Sequence, residues 1–309
     1  MSAGAFSSAA AQSGPAHAGE QDLPPTIQRT FSLTSGGIVR LDSPRGPVAV
    51  RSGPPGEVFV RAWVRPVPES GQGIGSIPGG EQLRFASDSG SLSITVPSDR
   101  TGPGTVPRYS IRFELTVPPG CDLVLKTGEG SLSVTGVRGS VRMETDSGDL
   151  VARSCGPVEA GSVNGDIVIE GCRGASVNTV SGTISIRRTE GPVTATCVSG
   201  SISMEGVRSS SVRASTTGGD ISFLGPVLEG GAYRLFSHSG DITFTARSGR
   251  GFALNLSTFS GSIAVPLDVT LTDAPISRRS LQGRWGDAAA SVELKAFSGD
   301  IRLEATAGR

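Results

Sequence analysis

One eight-residue pattern keeps returning along this chain. It reads "SVNGDIVI" from Ser162, "TVSGTISI" from Thr179 and "CVSGSISM" from Cys197. Each copy has a small residue, two variable positions, a glycine, a small polar residue, Ile, a variable position and an apolar residue. Taking the glycine as origin aligns Gly46, Gly90, Gly130, Gly148, Gly165 and Gly182, then Gly200, Gly219, Gly240, Gly261 and Gly299. From Gly130 to Gly261 the steps are 18, 17, 17, 18, 19, 21 and 21 residues. A fixed short period of this kind constrains the fold more than any other feature of the chain, because every unit must bury the same face against its neighbours.

The columns on either side of the glycine alternate. Seven and five residues before it stand apolar pairs such as Val141/Met143, Val158/Ala160 and Val193/Ala195. Three before it the residue is always small, as in Thr145, Ser162, Thr179, Cys197 and Thr216. Two and four after it come Leu132/Val134, Ile167/Ile169, Ile184/Ile186 and Ile242/Phe244. A period of two on both sides of a bend describes two short half-buried strands. The glycine permits a positive φ, and the Asp, Ser or Thr after it can close a turn. No helix-period segment separates the units, so the strands must coil. The expected fold is all-β: a single-stranded parallel β-helix, or β-solenoid, with 17–21-residue turns and about eleven or more rungs. Tyr233, Phe236, Phe244, Phe252 and Phe259 are expected to fill the wider turns near the C-terminus.

The ends are less regular. Residues 1–24 read as a disordered Ala/Ser/Gly-rich leader. An A-x-A site stands at Ala16–Ala18, but no Lys or Arg precedes Arg29, which argues against a secretory signal. Residues 25–120 form irregular turns with Gly/Pro-rich excursions at 66–80 and 98–107, and residues 121–309 form the regular array. "GEVFVRAWVR" sets Val58, Val60, Ala62 and Val64 on one strand face. A further excursion, 266–290, interrupts the array and reads as either an oversized loop or an extra turn plus a loop.

Chemistry is sparse. The chain has 28 basic and 28 acidic residues, so charge supplies no case for nucleic acid or an anionic membrane. No apolar run is long enough to span a bilayer as a helix. With only His17 and His238, a histidine triad or metal cluster has no material, and His238 reads as a structural corner residue. No cofactor motif and no calcium-binding nonapeptide are present. Asp149 and Asp166, one after their glycines on neighbouring turns, would lie at carboxylate-pair distance. Ser or Thr stands in the same column at other turns, which favours a turn-closing role.

Two features carry sharper alternatives. Cys155 and Cys172 both stand seven after their glycines, so neighbouring turns would bring their Cα atoms about 4.8 Å apart, within disulfide range. They are either a bridge or two buried thiols. Cys197 occupies the small corner column as a Ser/Thr substitute, and Cys121 completes the four, with no C-x-x-C spacing. In the 266–290 excursion, Arg278, Arg279, Arg284 and Trp285 suit a loop contacting glycan or protein. Trp285 would equally serve to cover the solenoid's open edge.

The "SGDI"-type repeats, the segment "FELTVPPGCDLVLKTGEGSLSV" and the closing "GDAAASVELKAFSGDIRLEA" together resemble the bacterial DUF4097 family, often labelled adhesin by inference. The likeness runs over about residues 30–306. It implies a β-solenoid held outside the cytoplasm or at the membrane, with no established enzymatic activity. The expected function is therefore a non-enzymatic structural or adhesion module of the cell envelope, contacting a protein or glycan. A solenoid polymer joined through its ends, of the bactofilin kind, is the alternative, and a carbohydrate-active parallel β-helix enzyme comes third.

Overall fold

The computed structural model describes residues 24–66, 83–97, 109–247, 251–265, 270–271 and 279–306. Among them the chain is all strand, turn and bend. The strands form two sheets, one of 13 and one of 14 strands. Each regular turn contributes one strand to each sheet. Val141–Ser147 enters the larger sheet, Gly148 makes the corner, and Leu150–Arg153 enters the smaller one. A second bend returns the chain through a left-handed residue six after the glycine: Gly136, Ser154, Gly171, Arg188 or Gly206.

Successive turns pair in parallel and in register. Val141 lies opposite Val158, which lies opposite Ala175, and Leu150 opposite Ile167 and then Ile184. The apolar columns point between the sheets and form one continuous core. Complete burial of an Ile or Leu in such a column stabilises the fold by roughly 1.5–3 kcal/mol. Toward the C-terminal end the core widens around aromatic rings. Phe223 stacks on Phe244 at 4.7 Å, and Tyr233 meets both edge-on. The Tyr233 hydroxyl donates to the Ser209 carbonyl at 2.7 Å, so its polar end is satisfied inside.

The corner explains why the repeat tolerates so little variation. Thr145, Ser162, Thr179, Cys197 and Thr216 stack as register partners. Each donates to the carbonyl of the previous turn's glycine: Thr145 to Gly130 at 3.2 Å, Thr179 to Gly165 at 3.3 Å and Thr216 to Gly200 at 3.0 Å. The Cys197 thiol does the same toward Gly182 at 3.4 Å. That glycine carbonyl in turn lies against the next glycine. A Cβ on Gly182, whose φ is +139°, would sit 2.2 Å from the Gly165 oxygen. Close approach and positive φ together leave room only for glycine.

The contacts between corner glycines also show the order of turns in space. It runs from Gly46 directly to Gly130, through Gly148 to Gly240, then to Gly299 and finally Gly261. The last turn of the chain is thus inserted beside the Gly240 turn. Ser291–Ser298 pairs in parallel with Ala232–Ser239 on one side and with Gly251–Ser260 on the other. Of the 266–290 excursion, residues 270–271 and 279–290 are described. Its strand Ser280–Gly286 runs antiparallel along Gly251–Ser260, and Thr270–Leu271 pairs with it at the sheet edge.

Three expectations need correction. Gly90 is not a corner: Asp88 accepts the Gly90 and Ser91 amides, and the chain doubles back as an antiparallel hairpin. Leu92 and Ile94, not Leu83 and Phe85, take the apolar columns beside Val39 and Leu41. Phe236 and Phe259 do not fill the interior; they stand at even offsets from the glycine and point outward. The leader to residue 23 and the 98–107 excursion lie outside the described residues, as does the 66–80 excursion after Pro66. The strand Glu57–Pro66 is antiparallel to both its neighbours and buries Val58, Val60, Ala62 and Val64 as its alternation requires.

Gly182→Ala should destabilise the protein by about 3 kcal/mol, since backbone must move on both turns. Gly120→Ala, where a Cβ meets nothing within 4 Å, should change stability by less than about 0.5 kcal/mol. Chemical denaturation of the two variants measures both; equal effects would contradict the corner.

Candidate contact face

The outer surface of the larger sheet is built from the even columns, six, four and two residues before each glycine. At six and four the side chains are polar and ion-paired in places. Arg142 bonds Glu144 and Glu159, and Glu293 bonds Lys295 and Arg234. Being exposed, these pairs contribute little to stability. At two before the glycine the character changes. In spatial order the column reads Asp146, Val163, Val180, Val198, Thr217, His238, Phe297 and Phe259. The three valines and two phenylalanines all count among the exposed large hydrophobics, Phe259 at 66%.

Register stacking makes the aromatic end a ladder. His238 and Phe297 lie parallel with centroids 4.7 Å apart, and Phe297 and Phe259 follow at 4.9 Å. The facing sides cover one another, so the ladder shows solvent its ring edges and the outer face of Phe259. Beside them Phe236, Lys295 and Arg279 border an open hollow of about 480 Å³. A contiguous exposed apolar stripe with a polar rim is the usual mark of a contact surface.

The residues singled out from sequence lie elsewhere, or only at the margin of this face. Arg278 is outside the described residues. Arg279 borders the hollow. Arg284 is exposed on the antiparallel strand Ser280–Gly286, and Trp285 is half-buried, its ring 5.4 Å from that of Phe252. Cys155 and Cys172 are buried thiols on adjacent turns. Backbone hydrogen bonds stack their column, Gly156 to the Val137 carbonyl, Arg173 to that of Cys155 and Glu190 to that of Cys172. Each thiol donates to backbone carbonyls, Cys155 to Arg153 at 3.2 Å and Val134 at 3.7 Å, Cys172 to Glu170 at 3.5 Å and Ala152 at 3.7 Å, and the neighbouring thiol together with burial pushes Cys172 up.

The aspartates after the corner serve the backbone. Asp149 accepts the Asp166 amide at 3.0 Å, and Asp166 accepts that of Thr183 at 2.7 Å. Asp220, Asp241 and Asp300 continue the chain of such bonds, ending on Ser262. The amide and hydroxyl of Ser262 hold Asp300 below the usual carboxylate range. Carboxylates engaged in this way are structural, as the free exchange with Ser and Thr implies. Among the described residues no group of three or more His, Cys, Asp or Glu could hold a metal ion. His238 was legible only as a corner residue; the signal for the contact column was the recurrence of Val and Phe at an outward offset.

These features define a two-sheeted β-solenoid with one apolar outer column. The sequence matches the Toastrack DUF4097 family over residues 69–304, well over half the chain, and the protein belongs to that family. No protein of curated function matches it. Among solved structures it is similar to a protein of Parabacteroides distasonis provisionally described as lipid binding, at 12% identity and a TM-score of 0.47, covering 91% of this chain and 97% of that one. It is also similar to a provisional adhesin of Bacteroides fragilis (13% identity, TM-score 0.40, 90% and 96% coverage). A provisional cell adhesion protein of Clostridium sporogenes follows, at 9% identity and TM-score 0.23, covering 91% and 99%. No helix among the described residues is long and apolar enough to cross a membrane.

Phe297→Ser should cost less than about 1 kcal/mol, because its ring edge is in water already, whereas Phe244→Ser, fully buried, should cost about 3–5 kcal/mol. Thermal unfolding of the two variants checks this; a comparable loss for both would make the outer ladder part of the core.

Proposed function

We propose that the protein is a non-enzymatic, adhesion-type module of the bacterial cell envelope that makes its contacts through the outer face of the larger sheet. The observation that carries this reading is the exposed column from Val163 to Phe259, apolar at six of its seven positions if His238 is counted with the rings it stacks on. Apolar side chains repeated at one outward offset add nothing to the core and are poorly accounted for by stability alone. The recurrent carboxylates already bind backbone amides, and His238 stacks on Phe297 at the end of the ring ladder. Extracytoplasmic placement follows the family likeness noted from the sequence.

End-to-end polymerisation fits less well. Both ends of the larger sheet are antiparallel pairs, Arg84–Ser87 on Ser91–Thr95 and Thr270–Leu271 on Ser280–Gly286. The smaller sheet ends in the antiparallel strand Ile27–Ser32 on one side and the two-residue strand Ile263–Ala264 on the other. Such ends interrupt the parallel ladder that a following molecule would have to extend.

Co-sedimentation with isolated envelopes of the source organism tests the assignment. The wild-type protein should sediment with them, and the folded double variant Phe259→Ser/Phe297→Ser should lose at least about tenfold in affinity, equivalent to 1.4 kcal/mol. Equal retention of the double variant would remove the face from the contact.

A further inference from the structure

We infer that the outer face of the larger sheet pairs with the same face of a second copy of this chain, the two solenoids lying antiparallel. This rests on the reading of that face as the contact surface and names its partner. The stripe from Val163 to Phe259 spans seven turns, and Thr217 is the fourth. A two-fold axis in the interface, parallel to the strands and passing Thr217, keeps each column facing its own kind and reverses the order of turns. Val198 then meets His238, Val180 meets Phe297 and Val163 meets Phe259. The aliphatic half of one molecule covers the aromatic half of the other, as an isologous interface requires.

The neighbouring column supports the same operation. Four before the glycine, the aliphatic half carries Gly161, Asn178 and Thr196, and the aromatic half carries Phe236 and Lys295. Reversal sets Thr196 opposite Phe236 and Asn178 opposite Lys295, small against large. Charge is complementary as well. Around the aliphatic end stand Lys126 and Arg142 against Glu144, Asp146 and Glu159, two positive and three negative, net −1. Around the aromatic end stand Arg234, Lys295 and Arg279 against Glu293, three positive and one negative, net +2. The same axis brings the two Arg213 side chains toward each other six before the glycine, at the rim, where solvent screens them.

Ring geometry favours this occupant over a sugar. A sugar stacks on an open aromatic face, and in this ladder only the outermost faces, those of His238 and Phe259, are not covered by another ring of the ladder. A second flat sheet needs only edges and methyl groups, packed about 10 Å away. Six steps of about 4.8 Å make the face roughly 29 Å long, and seven strand residues, of which the apolar stripe is one column, make it roughly 20 Å wide. That gives about 600 Å² on each copy, or about 1,200 Å² in all, the lower end of specific interfaces. The dimer should therefore be reversible and concentration-dependent.

Sedimentation velocity over a dilution series, combined with a short bismaleimide cross-linker, tests the pairing on the full chain. Wild type should shift from monomer toward dimer as concentration rises, and Phe297→Ser should weaken that shift at least about tenfold. Thr217→Cys lies on the axis, so two copies would face each other across about 10 Å and cross-link. Val180→Cys lies two turns from the axis, which separates its two copies by about 19 Å, beyond the linker. Efficient cross-linking of Thr217→Cys alone supports the two-fold. Equal cross-linking of both variants would overturn it in favour of a parallel alignment. A monomer at every concentration, with envelope retention still dependent on Phe259 and Phe297, would overturn self-pairing while leaving the contact face to a different protein or glycan. A monomer whose envelope retention ignores those residues would overturn both readings.

Discussion

Everything in this molecule hangs on the distance between one glycine carbonyl and the glycine above it. At seven corners that oxygen accepts a hydroxyl or thiol from the next turn while lying in contact with the next α-carbon; the exceptions are Gly240, which faces Ala296, and Gly46, which faces the unpartnered hydroxyl of Thr127. One residue later an aspartate or serine accepts, or neighbours, the next turn's amide. Each hydrogen bond is worth only about 0.5–1.5 kcal/mol net. Their value lies in repetition: a corner without slack brings every turn to the same height and sets like residue over like. The apolar columns can then pack as continuous rows with nothing between them.

Register stacking of this kind is indifferent to chain order. The Gly299 corner contacts both Gly240 and Gly261, because all three present the same carbonyl and the same space. That equivalence lets the last turn slot in beside the Gly240 turn while the Gly261 turn moves outward. There it can pair with Ser280–Gly286, and Trp285 can lean on Phe252 where the core would otherwise open. At the opposite end the hairpin around Asp88 and the antiparallel strands of the first hundred residues do the same work by different means. The regular turns supply the stack; the irregular segments stop it.

The alternation of Ile184/Ile186 and Val177/Thr179 was enough to read the two-strand turn, its period and its inward face, because each column is enforced locally by burial. The order of turns could not be read in the same way. Nothing in the residues around Gly261 and Gly299 says which stands next to Gly240, since the corner accepts either. Gly90 misled for a related reason: a glycine after Asp-Ser is equally at home in an Asx-stabilised hairpin. Phe236 and Phe259 were assigned inside on size alone, although their even offset already placed them outside. The outer apolar column is thus present in the sequence, in Val163, Val180, Val198, Phe297 and Phe259, at even offsets that the burial of the odd ones does not single out. The spacing of Cys155 and Cys172 puts them on neighbouring turns; which carbonyls their thiols bond is a matter of rotamers, which spacing does not encode.

The central claim is a stack of turns at constant height whose spatial order departs from chain order at the end. Nitroxide distances measured by pulsed electron resonance address it directly, using exposed positions of one column. Arg142→Cys paired with Arg234→Cys spans five steps, about 24 Å at 4.8 Å per step. Arg142→Cys paired with Asn255→Cys spans seven steps with the last turn inserted, about 34 Å. A difference of about 10 Å between the two pairs is the predicted result, and a difference of about 5 Å, one step, would contradict it.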